Sequence, residues 1–227
     1  MATAHFDGFR NRWFFDPLFG RGYPQDILEA FVRLGRVDRD LSFVHPGDLE
    51  RIAAPIDFLG LNYYTTTRVG AGSEETDAPA RPPGRSIEPG FTEMGWRIDP
   101  AGLRSFLGRI HTEYRPPSIV VTENGASYSD GPDETGVIDD SRRIDYLRLH
   151  IEAVTAAVGD GVPVNGYFVW SLLDNVEWTH GFDQRFGLVW VDPENLARIP
   201  KASFQWYRES ISPHGWARRA VPDSPSR

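Results

Sequence analysis

The order in which two kinds of apolar pattern follow one another constrains this chain most. Residues 57–67, 118–121 and 164–172 are short runs rich in β-branched and aromatic residues, and they read as strands. Helical patterns separate them. Residues 24–34 open on Pro24, carry Ile27, Leu28, Phe31 and Leu34 as a stripe, and stop at Gly35. Asp99-Pro100 opens a second helix with Leu103, Phe106, Leu107 and Ile110 on one face. The clearest covers 139–158, where Ile144, Leu147, Ile151, Val154 and Val158 are spaced 3, 4, 3, 4 and Gly159 and Gly161 close the run. Residues 200–211 form a last helix, 48–53 a helical turn, and 6–23 the tail of a helix followed by a loop. Residues 70–89 read as a long exposed loop, 128–136 as a polar loop, and the tail from Pro213 as frayed. Strands that alternate with helices imply a parallel sheet covered by helices, an α/β fold.

The middle strand carries the most chemistry. Pro116-Pro117 blocks a helix ahead of it, and Asn124-Gly125 turns the chain after it. The apolar run predicts burial on both faces. Glu123 stands between strand and turn, at the strand end where α/β folds carry catalytic groups. On spacing alone, a solvated Glu beside a hairpin turn fits equally well.

Composition removes several classes of function. The chain has 227 residues and no cysteine, which excludes disulfides and thiolate metal sites. Its net charge of −8 argues against nucleic acid and anionic membranes as partners. No apolar run approaches the roughly 20 residues that span a bilayer. The first residues lack a basic region followed by an apolar core, so no secretion signal is read and a cytoplasmic location is expected. There is no GxGxxG or Walker motif, and the six histidines show no metal-ligand spacing, so no cofactor or metal is expected. His150 and His180 read as capping or packing residues. Seven tryptophans suit an aromatic core and a sugar-binding cleft alike.

The three strand ends share a character. The first ends in Asn62-Tyr63-Tyr64, the second in Thr122-Glu123-Asn124, the third in Trp170-Ser171, followed by Asp174-Asn175 and Glu177-Trp178. In a parallel sheet these ends point the same way. Carboxylates bond sugar hydroxyls and indole faces stack on sugar C–H faces, so the mixture suits a sugar better than a phosphate.

These residues also carry a resemblance. Phe58-Leu59-Gly60-Leu61-Asn62-Tyr63-Tyr64, Val121-Thr122-Glu123-Asn124-Gly125 and Trp170-Ser171-Leu172-Leu173-Asp174-Asn175-Val176-Glu177-Trp178 resemble motifs of glycoside hydrolase family 1 β-glucosidases. Gly181-Phe182 with Arg185-Phe186-Gly187-Leu188, and Pro200-Lys201-Ala202-Ser203, match as well, in the family's order. The resemblance spans nearly the whole chain and is to the family's C-terminal half. It implies a partial (β/α)8 TIM barrel, the last three strands with their helices, with residues 1–227 as one catalytic piece. It implies that Glu123 is the nucleophile of a retaining mechanism and forms a covalent glycosyl-enzyme. Tyr64 would donate a hydrogen bond to it, and Asn62 would line the same pocket. Trp170 would floor the site for the terminal sugar, with Glu177 and Trp178 binding its far hydroxyls, Phe186 as an aromatic wall and Trp96 near the mouth. The Glu177-Trp178 pair argues for an unphosphorylated β-glucoside or a short β-linked oligosaccharide.

Other residues take plainer readings. Trp13, Trp190, Trp206 and Trp216 are assigned to packing, Asp174 and Asn175 to loop structure, and Glu93, Glu113 and Asp183 to solvent. A retaining glycosidase needs a second carboxyl group about 5–5.5 Å from the first. The family's Asn-Glu-Pro acid/base motif does not occur in these residues, nor does its His-Trp pair. The expectation is a chain that becomes competent only with an N-terminal half-barrel, from the same gene or another chain. Three strands would otherwise leave two open edges and an uncovered inner face. One rival is a non-catalytic carbohydrate-binding remnant. Another, a doubly wound nucleotide-binding domain, requires a Gly-rich turn after the first strand and finds none.

Overall fold

The structure, a computed structural model, describes residues 2–69 and 90–212. The loop read at 70–89 and the tail from 213, with Trp216, lie outside the described residues. Two compact units divide the chain.

The first unit takes Met1–Leu59, Thr67–Pro79 and Arg109–Ser118. It holds α1 (Ala2–Asp7), a π-helical turn (Gly8–Arg12), α2 (Trp13–Leu18), α3 (Gln25–Arg33) and α4 (Asp48–Ile52). Gly8 is required by close packing, because a Cβ there would stand 2.2 Å from Ile27 Cδ1. Ile27 itself is fully buried. Phe31 meets Phe9 and Trp13 edge-on at 4.7 Å each, and Trp13 lies 4.4 Å from Tyr23, so Trp13 packs as read. Arg109 grips Asp7 through both terminal nitrogens, at 2.6 and 2.8 Å. The expected stripe of α3 is one residue too long: the helix ends at Arg33, Gly35 turns with φ +65°, and Leu34 is left exposed.

The second unit takes Gly60–Thr66, Ala80–Gly108 and Ile119–Arg227. Its sheet has the order β1 (Leu59–Asn62), β2 (Ile119–Asn124), β3 (Val164–Val169). β2 pairs parallel to β3, with Ile119 opposite Val164, Val121 opposite Tyr167 and Asn124 opposite Val169. On the β1 side, the Leu59 and Tyr63 amides donate to Ser118 and Glu123 at 2.9 Å each, so the numbering rises along both strands in the same direction, as in a parallel pairing. α5 (Pro100–Tyr114), which contributes to both units, precedes β2; α6 (Ser141–Gly159) joins β2 to β3; α7 (Ala202–Ser210) ends the described chain. Leu103, Leu107 and Ile110 of α5 are fully buried, as their spacing predicts. None of the described helices is long and apolar enough to cross a membrane.

Three sequence expectations need correction. β2 is not buried on both faces: Ile119 and Val121 are fully buried while Val120 and Thr122 are half-buried. The run 164–172 also reads as a buried strand, but β3 stops at Val169, has no fully buried residue, and leaves Phe168 60% exposed. On α6 the buried face is Arg143, Tyr146, Leu147, His150, Val154 and Ala157, whereas Ile144 and Ile151 are half-buried and Val158 is exposed. The apolar spacing misplaced this face because it discounts polar residues that bring partners. Arg143 donates to Asp140 at 2.5 Å and to the carbonyls of Arg185 and Tyr128 at 2.7 and 3.3 Å. Finally, an antiparallel hairpin of β4 (Val189–Val191) and β5 (Arg198–Pro200) was not foreseen. Strands of three residues are too short to show a period, and Asp192-Pro193-Glu194-Asn195 was its available turn signal.

Candidate active site

The site lies in the second unit, where β1, β2 and β3 run out. Glu123 stands within the last turn of backbone in β2, Tyr64 lies two residues past β1, and Trp170 immediately follows β3. Gly125 lets the strands come this close. A Cβ on it would sit 1.9 Å from the Trp170 carbonyl oxygen, and the Trp170 amide donates to Asn124 at 3.0 Å.

Tyr64 Oη donates to Glu123 Oε2 at 2.7 Å. Burial raises the Tyr64 phenol well above its ordinary value, and the bond to Glu123 raises it further. The hydroxyl therefore stays protonated and acts as a fixed donor to the Glu123 carboxyl group. An aromatic group backs it: Tyr64 lies 5.2 Å from Trp96 and 6.1 Å from Phe186, which are 6.0 Å from each other. Phe186 is buried and Trp96 half-buried.

Glu177 follows β3. Burial pushes its carboxyl above the usual carboxylate range, His180 opposes that, the charge of Glu123 adds to it, and a hydrogen bond from the Trp170 side chain opposes it. Trp170 and Glu177 are thus joined, and Glu177 feels Glu123. Trp178 is different: in a short 3-10 turn (Trp178–His180), it is 88% exposed. Asn62 is also exposed, and its Oδ1 accepts from Thr122 Oγ1 at 2.7 Å. The structure therefore assembles Glu123 with Tyr64, Trp96 and Phe186 and joins Trp170 to Glu177, while Asn62 is bonded to the residue before Glu123 and Trp178, next to Glu177, is mostly in solvent.

Asp174 and His150 take the plainer roles read for them, whereas two acids read as solvated have partners: Glu113, partly exposed, accepts from Arg109 Nε at 3.0 and 3.1 Å. Glu93 is not solvated: it accepts from the Ser129 amide at 2.7 Å and from the Ser129 hydroxyl. Asp174 is structural, accepting from Lys201 Nζ at 3.0 Å, Arg185 Nη1 at 3.1 Å and the Gly187 amide at 2.8 Å. Burial lowers the Lys201 amine to about 8 despite that partner. His150 packs: it stacks on Tyr146 at 4.0 Å and burial lowers its ring to about 4. Among the described residues, no three His, Cys, Asp or Glu side chains gather so as to hold a metal ion.

Sequence reasoning missed the layer behind the pair. Asn124, read only as a turn residue, is fully buried with its amide saturated. Its Nδ2 donates to the Tyr63 carbonyl at 2.7 Å and to Tyr146 Oη at 3.1 Å, and its Oδ1 accepts from Tyr167 Oη at 2.5 Å. Tyr146 in α6 and Tyr167 in β3 carried no sequence signal beyond being aromatic.

With this geometry in view, the relatives are informative. The family model for glycosyl hydrolase family 1 matches residues 1–216. The chain is 40% identical to the bifunctional β-D-glucosidase/β-D-fucosidase of Bifidobacterium breve, an alignment covering 94% of this chain and 48% of that protein. The structure superimposes on the AHE enzyme from Alicyclobacillus herbarius with a TM-score of 0.81 at 41% identity, covering 92% of this chain and 46% of that one. It also matches a family 1 β-glucosidase from Thermotoga maritima in complex with isofagomine lactam, with a TM-score of 0.76, 37% identity, and 92% and 45% coverage. The chain spans about half the length of the relatives it matches.

Proposed function

The chain belongs to glycosyl hydrolase family 1, and from that premise we propose that it is the C-terminal part of a retaining β-glucosidase, with residues 1–227 supplying the last three strands of the barrel. Glu123 is the nucleophile: its carboxylate attacks the anomeric carbon of a terminal β-D-glucosyl residue and forms a glycosyl ester that water later cleaves. A nucleophile must be ionised, and the 2.7 Å bond donated by Tyr64 is the observation that carries this role. Trp170, Glu177 and Trp178 receive the terminal sugar; Asn62, Trp96 and Phe186 border it. The acid that protonates the leaving group comes from an N-terminal half-barrel. The substrate is a β-glucoside or a short β-linked oligosaccharide.

The test is co-expression with an N-terminal half carrying the Asn-Glu-Pro motif, followed by assay on aryl β-glucosides. Since one relative is named as both a glucosidase and a fucosidase, an aryl β-fucoside belongs in the same assay. Turnover that depends on Glu123 is expected; activity no higher than that of Glu123→Gln overturns the reading. A leaving group of low pKa needs little protonation, so a 2-fluoro aryl glucoside should esterify Glu123 in the chain alone, read by mass spectrometry. The Trp170–Glu177 bond supports a second reading, a carbohydrate-binding remnant without turnover. Calorimetry with cellobiose separates them: binding with neither turnover nor ester formation favours the remnant.

A further inference from the structure

Behind Glu123 runs a one-way chain of hydrogen bonds. Tyr167 Oη donates to Asn124 Oδ1, Asn124 Nδ2 donates to Tyr146 Oη, and Tyr146 Oη donates to the Tyr64 carbonyl oxygen at 3.1 Å. One hydroxyl of α6 therefore holds both the residue after Glu123 and the backbone of the residue that bonds Glu123. We propose that Tyr146 is a positioning residue for the nucleophile, setting the Tyr64–Glu123 bond from outside the pocket.

Three observations support this beyond the distances. Burial raises the phenols of Tyr146 and Tyr167 well above their ordinary values, so each hydroxyl keeps its proton and its donor role. Tyr146 is fixed from its other side: the His150 ring stacks on it at 4.0 Å, and His150 Nδ1 bonds its carbonyl at 2.8 Å. The chain also contains no slack, because Asn124 uses both amide hydrogens and its oxygen. Loss of the Tyr146 hydroxyl leaves the Tyr64 carbonyl without this donor and frees Asn124 at one corner. The segments that carry the Tyr64 phenol and the Glu123 carboxylate are then tied only one residue short of Tyr64, through the Asn124 and Glu123 bonds to Tyr63. Glu177, which feels the charge of Glu123, belongs to a different segment.

The importance of this role to catalysis rests on Glu123 being the nucleophile, but its physical test does not. The full chain, labelled with 13C at its glutamate carboxyls, is observed by NMR at one fixed pH, with Glu123 assigned from the spectrum of Glu123→Gln. Tyr64→Phe removes the direct donor and sets the largest displacement of the Glu123 carboxyl resonance. Tyr146→Phe is expected to displace that resonance in the same direction by a smaller amount. Tyr63→Phe is the control, since it deletes another buried hydroxyl, one that bonds the Asp99 carbonyl at 2.7 Å. It should lower Tm while leaving the Glu123 resonance unmoved. A Tyr146→Phe protein that loses Tm as the control does, with the Glu123 resonance where it stands in the unmodified chain, overturns the proposal. If Tyr146→Phe does not fold, Tyr167→Phe carries the same test from the far end of the chain, with a still smaller displacement expected and none overturning it. Failure of the unmodified chain to form the 2-fluoroglucosyl ester counts against the nucleophile reading alone, so the two can fail separately.

Discussion

Two acids at the same end of the sheet are held in different ways. Glu123 sits in a strand with a neighbour on each side, accepts from a half-buried phenol, and has a saturated amide behind it. Glu177 sits in irregular chain, beside Trp178, which is mostly in water. The first is placed by strands and a helix; the second depends on a short turn and one indole. A group on packed elements holds its geometry by itself, whereas a group on a loop takes its geometry from whatever surrounds it.

The difference can be broken most severely at Arg143. This fully buried guanidinium ties α6, and so Tyr146, to Asp140 and to the chain at Arg185. Arg143→Met leaves the buried Asp140 carboxylate with two bonds from Ser203 but without its cation, and should cost about 3 kcal/mol or more in chemical denaturation. Gly125→Ala tests the strand contact itself. Its new Cβ meets backbone rather than a flexible side chain, so about 3 kcal/mol is expected, at the upper end for overpacking. A cost below about 1 kcal/mol would mean that β2 and β3 are not pinned at Trp170.

The third prediction uses pH. His150 titrates near 4 in the folded chain and near 6.5 when unfolded, because burial disfavours its cation. Between those values the unfolded chain binds the extra proton. Stability from this group is therefore complete above pH 6.5 and falls as pH drops toward 4, by about 3 kcal/mol. Tm measured across that window should slope downward on acidification, and His150→Met should flatten the slope. An unchanged slope would remove His150 from the pinned side of the comparison. The smallest effect belongs to the other side. Trp178→Ala should leave stability within about 0.5 kcal/mol of the parent, since an exposed side chain has little to lose.

What could be read from the sequence divides along the same line. The strand centres and most helices were readable because burial of apolar faces imposes a period, as Leu103, Leu107 and Ile110 show. The Tyr64–Glu123 contact was readable through the family motifs, which preserve residues that meet a ligand. The face of α6 was not, because Arg143 and His150 are buried only where tertiary partners exist for them. Asn124 and Tyr146 were missed for a related reason. Their bond joins residues 22 apart in the chain, and nothing local marks it. The β4–β5 hairpin failed on length alone.

The sheet order has one further consequence, in the exchange of amide hydrogens with solvent. β2 lies between β1 and β3, so its backbone is bonded on both sides. Opening it requires both neighbours to separate, and its amides should be among the last in the second unit to exchange. Most proteins draw their working groups from segments that open easily. Here the acid assigned to the chemistry rides on a strand that should open late, and the adaptable parts of the site are left to the chain beyond β3.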